Sequence, residues 1–175
     1  MQIKTILMDA LAIERALKRI SHEIIENNKG VGNVVLLGIA KGGIPVCEKL
    51  AKNISDIEKV VILSAELDIT SYRDDKGQKN CLETPSSKDI PFDLTGKDVV
   101  LCDDVLYTGR TVRAGIEAVI KHGRPKSIQL AVLIDRGHRE LPIRADYVGK
   151  NVPTSKEEIV CVKIDDKNNS VILCQ

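Results

Sequence analysis

Four continuous apolar runs are the feature that most constrains how this chain can fold. They are separated by segments with helical spacing, and they do not alternate apolar with polar residues as half-exposed strands do. Such runs are typical of parallel strands that helices cover on both faces. The sequence therefore predicts an α/β fold with a doubly wound, mainly parallel sheet. The runs are NVVLLGIA (33–40), KVVILSAELDI (59–69), KDVVLCDDV (97–105) and SIQLAVLID (127–135), and helical segments lie at 44–54 and 111–123.

Three segments outside these runs also have a predicted structure. A helical pattern begins at Asp9, a suitable N-cap, and ends near Gly30. Segment 70–96 is polar and rich in turn residues, so it is predicted to be a long flexible loop, with or without a hairpin. The short apolar segments 159–165 and 170–175 are predicted to form a small antiparallel pair at an edge of the fold.

Size and composition exclude several classes of protein. A chain of 175 residues is expected to form one domain over 1–175, and its net charge of +1 indicates no bulk attraction to nucleic acid or membranes. No apolar run approaches the roughly 20 residues of a membrane span. Five cysteines without CxxC spacing favour a reducing, cytoplasmic location. Aromatic residues make up 2% of the chain, which disfavours folds that stack single-stranded bases.

Unusual residues follow the first apolar run, where a parallel sheet is expected to bind ligands. The segment GIAKGGIP (38–45) combines glycines, which allow close approach to the backbone, with the cation of Lys41. This combination predicts an anion site. The alternative is a tight turn before a helix that has Pro45 in its first turn.

The segment VVLCDDVLYTGRT (99–111) places two acids before a turn and a helix start. Hydroxyls of Thr108 and Thr111, with the N-terminus of the following helix, predict a phosphate site that is not a Walker loop. Asp103 and Asp104 would repel a bare polyphosphate, but they suit the hydroxyls of a ribose or a bridging Mg²⁺. The segment therefore predicts a ribose 5-phosphate ligand; the alternative is an acidic turn that caps the helix.

The same segment resembles the signature of the type I phosphoribosyltransferases, which bind phosphoribosyl pyrophosphate (PRPP). The resemblance extends to GIAKGG (38–43), similar to the family's pyrophosphate loop, and SYRDD (71–75), placed like its mobile catalytic loop. Nearly the whole chain is similar to the bifunctional pyrimidine-operon attenuation regulators that are also uracil phosphoribosyltransferases. This resemblance implies a type I phosphoribosyltransferase fold with a flexible loop and a small hood, and formation of UMP and pyrophosphate from uracil and PRPP with Mg²⁺. It also implies binding of pyrimidine leader mRNA that depends on UMP or UTP, and a homodimer or larger oligomer.

The resemblance also implies roles for individual residues. Asp103 and Asp104 would hold the ribose diol, directly or through Mg²⁺-bound water, and Lys41 and Arg73 would neutralise the leaving pyrophosphate. Other PRPP or nucleotide contacts would come from Gly42, Tyr72, Tyr107, Thr108, Gly109, Arg110 and Thr111, and the base would lie near Ile134, Asp135, Arg136 and Gly137.

Two basic sets correspond to the RNA-binding surface of that family. The first, on the predicted N-terminal helix, consists of residues at helical spacing that share one face. As sequence alone, both sets are also compatible with an ordinary solvated surface. The sets are Lys18, Arg19 and His22, and His138, Arg139, Arg144 and Lys150.

The pyrophosphate loop departs from the pattern of close relatives. They often have Thr-Arg-Gly where this chain has Lys41-Gly42-Gly43, which is nearer to the loop of hypoxanthine phosphoribosyltransferases. A cation is kept, but the bidentate geometry of arginine is lost. Two alternatives therefore stay open: a PRPP- or nucleotide-sensing RNA-binding regulator with little catalysis, and a phosphoribosyltransferase for purine bases.

Overall fold

A five-stranded parallel sheet forms the centre of the molecule in the computed structural model, which describes residues 3–74, 90–165 and 169–175. The order of the strands is β3-β2-β4-β5-β6, and every neighbouring pair is parallel. β2, β4 and β5 are mostly buried, as continuous apolar runs require. The strands are β2 (Val34–Ile39), β3 (Leu63–Leu67), β4 (Asp98–Leu106), β5 (Ser127–Asp135) and β6 (Tyr147–Asn151).

Helices cover both faces of this sheet. α1 (Ala10–Asn27) and α2 (Ala40–Glu58) pack on one face, where Leu17 and Leu50 belong to the same apolar core. α3 (Arg110–His122) packs on the other face through a second core. Asp9 caps α1 as predicted, because its side chain accepts a hydrogen bond of 2.8 Å from Ala12 N. The predicted doubly wound α/β fold is confirmed.

A second, three-stranded sheet lies beside the first. β7 (Ile159–Ile164) and β8 (Asn169–Cys174) form the predicted antiparallel pair, but β1 (Ile3–Met8) adds to β8, so the pair belongs to a separate sheet of order β1-β8-β7. The sequence did not predict β1, because four of its six residues are exposed and only Met8 is buried.

The polar segment after β3 begins with a short 3-10 helix (Thr70–Tyr72). The Asp68 side chain accepts from Thr70 N at 2.8 Å, and Tyr72 N donates to Ile69 O at 2.9 Å. Residues 75–89, which hold most of the predicted loop and any hairpin, lie outside the described residues. Among the residues that are described, no helix combines the length and apolar character needed to cross a membrane.

Candidate functional site

A cavity of about 580 Å³ opens at the carboxyl ends of β2, β3 and β4, where ligands of parallel sheets bind. Three strand ends and the start of α2 contribute to it, so residues distant in sequence are brought together. We call it the main cavity. Its charged lining residues are Lys41, Glu66, Asp68, Arg73, Asp103 and Asp104. Sequence reasoning missed Glu66 and Asp68, because a lone acid at a strand end carries no motif.

The two adjacent acids sit at the end of β4 with different environments. Asp103 is buried, with 5% of its surface exposed, and its Oδ1 accepts from Asp104 N at 3.0 Å. Asp104 is half-buried and accepts from Val105 N at 2.8 Å. Burial and the neighbouring charge of Asp104 raise the pKa of Asp103 well above its ordinary value. Burial and the adjacent negative charge therefore disfavour the ionised form of Asp103.

The predicted anion loop is the first turn of α2, which begins at Ala40 rather than at Ile44. Lys41 is exposed and lines the main cavity, while the two glycines face β4. A Cβ on Gly43 would lie 2.1 Å from Cys102 O, and one on Gly42 would lie 2.6 Å from the carboxylate of Asp104. The glycines therefore allow the helix N-terminus, with its partial positive charge, to meet the acids directly.

Replacing Gly42 by alanine is expected to disturb the site while leaving the fold intact. The three heavy atoms nearest to the new Cβ belong to the Asp104 carboxylate, a group that can rotate away, and alanine is the better helix former by about 0.5–1 kcal/mol. Displacing that carboxylate is expected to lower kcat/KM for phosphoribosyl transfer about 10- to 100-fold, without lowering the thermal midpoint. Gly32→Ala is the matched control, because a Cβ at position 32 would lie in open space, with no neighbouring atom within 4 Å. Unchanged kinetics in Gly42→Ala would contradict the proposed contact.

A second cavity, of about 310 Å³, lies beside the main one and shares with it four lining residues: Arg73, Asp103, Val105 and Thr111. We call it the side cavity. It is formed by the turn 107–111 between β4 and α3, in which Gly109 adopts φ 92°, a left-handed conformation that favours glycine. The turn points the N-terminus of α3 at the cavity, as phosphate binding requires. The predicted residues Tyr107, Thr108, Gly109, Arg110 and Thr111 all line it.

The guanidinium of Arg110 is held by acids on two sides. It forms ion pairs with Asp74 at 2.9 Å and with Glu140 at 2.7 Å. The Glu140 hydrogen bond and charge, together with Asp74, raise the pKa of Arg110. Arg110 therefore links the turn to the chain on both sides of the side cavity.

The segment predicted to hold the base, 134–137, covers the end of β5 and the two residues after it, and it contacts the turn 107–111. Ile134 is fully buried, main chain included, between β4 and β6. Arg136 is also buried; its guanidinium stacks 4.2 Å from the centre of the Tyr107 ring and donates to Thr154 Oγ1 at 3.1 Å. The Asp135 carboxylate accepts from Gly137 N at 3.0 Å. Of residues 134–137, Arg136 therefore contacts Tyr107, and none of the four lines the main cavity or the side cavity.

Arg139 is the most extensively bonded of the predicted RNA-binding residues. Its guanidinium donates to the main-chain oxygens of Tyr107 at 2.9 Å and Ile143 at 3.0 Å, and it pairs with Asp135. Burial alone would raise the pKa of Asp135, but the contacts with Arg139 and Gly137 lower it. The side chain of Arg139 is only 21% exposed. Arg139 therefore joins the base segment to the turn 107–111, a role that its sequence context does not indicate.

Arg19 of the first basic set reaches β6, the strand that also carries Lys150 of the second set. Arg19 on α1 donates to Val148 O at 2.9 Å and Gly149 O at 2.8 Å, and Lys150 on β6 donates to Leu7 O at 2.9 Å. Lys18 and His22 are exposed on the same helix, and Arg144 is exposed on the loop before β6. His138 lies nearer the turn, with its ring edge-on to Tyr107 at 6.0 Å and its Nε2 2.5 Å from Thr154 O.

Comparison with known proteins agrees with this geometry. The model of the phosphoribosyl transferase domain matches residues 5–167. The bifunctional protein PyrR of Bacillus subtilis (strain 168) is 55% identical over 177 residues, covering 99% of this chain and 98% of that protein. The bifunctional protein PyrR of Thermoanaerobacter sp. (strain X514) is 58% identical over 179 residues, covering 100% and 99%.

The solved structures give the same fold. The hypoxanthine phosphoribosyltransferase of Trypanosoma cruzi in complex with the product IMP superimposes with a TM-score of 0.78 over 99% of this chain and 95% of that one. At 22% identity this likeness concerns the fold alone. The predicted type I phosphoribosyltransferase fold is confirmed. The chain belongs to the phosphoribosyl transferase family, and its relatives there include the bifunctional PyrR proteins.

Proposed function

We propose that this protein transfers the phosphoribosyl group of PRPP to uracil, giving UMP and pyrophosphate, and that it binds pyrimidine leader mRNA in a UMP- or UTP-dependent way. The main support for the enzymatic activity is that three features line two adjoining cavities. These features are the acids of β4, the first turn of α2 and the turn 107–111. The similarity to bifunctional PyrR proteins over the full chain supports the combination with RNA binding.

PRPP fits the two cavities as a ligand with three polar parts. Asp103 and Asp104 accept from the ribose diol, and the turn 107–111 with the N-terminus of α3 binds the 5′-phosphate. Lys41 and the N-terminus of α2 face the pyrophosphate from the main cavity. Tyr72 lies half-buried beside this cavity, next to Arg73.

The acids of β4 also fit a magnesium ion that PRPP would share. Mg²⁺ is usually bound by one or two carboxylates together with phosphates and water, rather than by an all-protein cage. The described residues contain no group of three or more metal-ligating side chains, but Asp103 and Asp104 supply the carboxylate oxygens. Bound there, Mg²⁺ would neutralise charge on the leaving pyrophosphate.

The reaction breaks the bond between the anomeric carbon and pyrophosphate and forms one to the uracil ring nitrogen. The protein needs no strong nucleophile for this step, because the sugar passes through an oxocarbenium-like state. What it must supply is positive charge for the leaving group, and Lys41 and Arg73 line the cavity where that group lies. The main chain of residues 135–137, beside Tyr107, would orient the base.

The RNA surface would consist of the basic residues around the contact between α1 and β6. Lys18, His22 and Arg144 have their side chains exposed for phosphates or unpaired bases. Arg19 and Lys150 hold α1, β6 and β1 together, so they would also shape this surface. Arg139 and His138 contact Tyr107 of the turn 107–111, which would bind nucleotide. The protein would act in the cytoplasm, as a homodimer or larger oligomer.

The enzymatic part is tested by incubating the purified protein with PRPP, Mg²⁺ and either uracil or hypoxanthine, and measuring UMP and IMP. UMP formation with little IMP is expected. Faster turnover of hypoxanthine would support a purine-base enzyme, for which the Lys41-Gly42-Gly43 loop is the relevant feature. No product in a single turnover, with PRPP still bound, would support a regulator without catalysis.

The regulatory part is tested by titrating leader RNA binding with UMP and with PRPP on the same preparation. UMP is expected to tighten RNA binding and PRPP to weaken it, which would define a coupling free energy between the two sites. RNA affinity that does not respond to either ligand would contradict the proposal.

A further inference from the structure

Arg113 contacts the chain on both sides of Arg73. It lies on α3, one turn after the start of the helix, and its Nη2 donates to Tyr72 O at 2.6 Å. The same nitrogen lies 3.8 Å from the carboxylate of Asp74, which also pairs with Arg110. The main chain immediately before Arg73 and the side chain immediately after it are therefore both tied to α3.

The geometry of this contact depends on the planar fork of arginine. Nη1 donates to Glu117 at 2.9 Å, one turn further along α3, and this ion pair fixes the guanidinium while Nη2 reaches Tyr72 O. A lysine has a single nitrogen at its end and cannot keep both contacts in the same way. Nε of Arg113 is buried and makes no hydrogen bond within the described part of the chain.

Arg113 does not line the main cavity or the side cavity, whereas Arg73 lines both. The positive charge of Arg73 also reaches Asp103, where it opposes the rise of the carboxyl's pKa. Tyr72 ends a 3-10 helix whose own hydrogen bonds begin at Asp68 and Ile69. Arg113 thus secures the end of that short helix at the peptide group that joins Tyr72 to Arg73.

We propose that Arg113 is a positioning residue: by holding Tyr72 and Asp74 against α3, it keeps the guanidinium of Arg73 directed into the cavities beside Asp103. The catalytic consequence rests on the proposed function, since Arg73 matters there as a source of charge for the leaving pyrophosphate. The anchoring itself is a property of the ligand-free protein and does not depend on any activity.

The anchoring is tested with a fluorescent reporter. The chain has no tryptophan, so Ser71→Trp, at an exposed position of the 3-10 helix, gives a single emitter next to the contact. In this background Arg113→Gln is expected to lower the steady-state anisotropy of Trp emission, and Arg113→Lys to lower it less. Arg124→Gln, an exposed arginine that follows α3, removes the same charge and is expected to leave the anisotropy unchanged. Equal anisotropy in Arg113→Gln and Arg124→Gln would overturn the proposal.

The catalytic consequence is tested by a double-mutant cycle with Arg73. Arg113→Gln alone is expected to lower kcat for UMP formation about 10- to 100-fold with a smaller change in KM for PRPP. In an Arg73→Ala background Arg113→Gln is expected to lower kcat little further, because the effect of Arg113 acts through Arg73. An equal loss in both backgrounds would indicate a general structural role and overturn the proposal. If the unaltered protein forms no UMP, the proposed function fails, and the anisotropy result still decides whether Arg113 anchors the segment.

Discussion

Asp104→Asn is expected to reduce kcat/KM for UMP formation about 100- to 1000-fold, the scale of losing one charged group that acts at a reacting centre. The amide keeps the size of the side chain, so the space above Gly42 stays filled, but one carboxylate oxygen becomes a donor. The site then loses an acceptor for the ribose hydroxyls and a ligand for Mg²⁺. Steady-state kinetics with PRPP varied at saturating uracil measure the effect.

Asp56→Asn is the matched control, because Asp56 is an exposed acid on α2. It is expected to leave both kinetics and thermal unfolding unchanged. Removing a group that acts at the reacting centre usually lowers the rate at least about 100-fold. If Asp104→Asn retained more than about a tenth of the activity, Asp104 would therefore not contact the reacting sugar. Thermal unfolding of the variant distinguishes loss of chemistry from loss of fold.

The combined change Lys18→Gln and Arg144→Gln is expected to weaken leader RNA binding by two to four orders of magnitude. Each side chain is exposed and able to contact a phosphate, and one hydrogen bond to a charged group contributes about 1.5–3 kcal/mol, or roughly 10- to 100-fold in Kd. The slope of log K against log salt is expected to flatten by about 0.7–0.9 for each phosphate that the variant no longer neutralises. Binding measured at several salt concentrations gives both quantities.

Lys121→Gln serves as the control for this change in charge. Lys121 is exposed on α3, which covers the face of the parallel sheet opposite to α1. Its replacement is expected to leave the salt slope unchanged. If the Lys18→Gln/Arg144→Gln variant binds RNA with unaltered affinity and salt slope, the RNA surface lies elsewhere. UMP formation by this variant is expected to be unaffected, because neither residue lines the main cavity or the side cavity.

The central part of the fold could be predicted from the sequence because its strands are continuous apolar runs, a pattern that is visible in the sequence itself. β5 matches its predicted range, and β2 and β4 differ by a residue or so at each end. β6 carries no such signal: it has five residues, and only Tyr147 is buried. It also contains Gly149, where a Cβ would lie 2.4 Å from Leu133 O. Packing therefore requires glycine at this position, although glycine is unfavourable in strands.

The candidate site was predictable where one local segment holds all the parts. Asp103, Asp104 and the turn 107–111 fall within thirteen residues, and their order along β4 and α3 places them around two adjoining cavities. Contacts that join distant segments were not predictable. Arg113 binds the main-chain oxygen of Tyr72, and Arg139 binds the main-chain oxygen of Tyr107. Every residue has such an oxygen, so the sequence does not indicate which one an arginine will bind.

The close approach of Gly42 to Asp104 limits how this site can vary. The carboxylate occupies the volume in which a Cβ at position 42 would stand, so the two positions share one space. A larger side chain at position 42 therefore requires the Asp104 side chain to adopt another rotamer. Positions 42 and 104 therefore constrain each other, and moving the cation from position 41 to position 42 would also change the resting place of the acid.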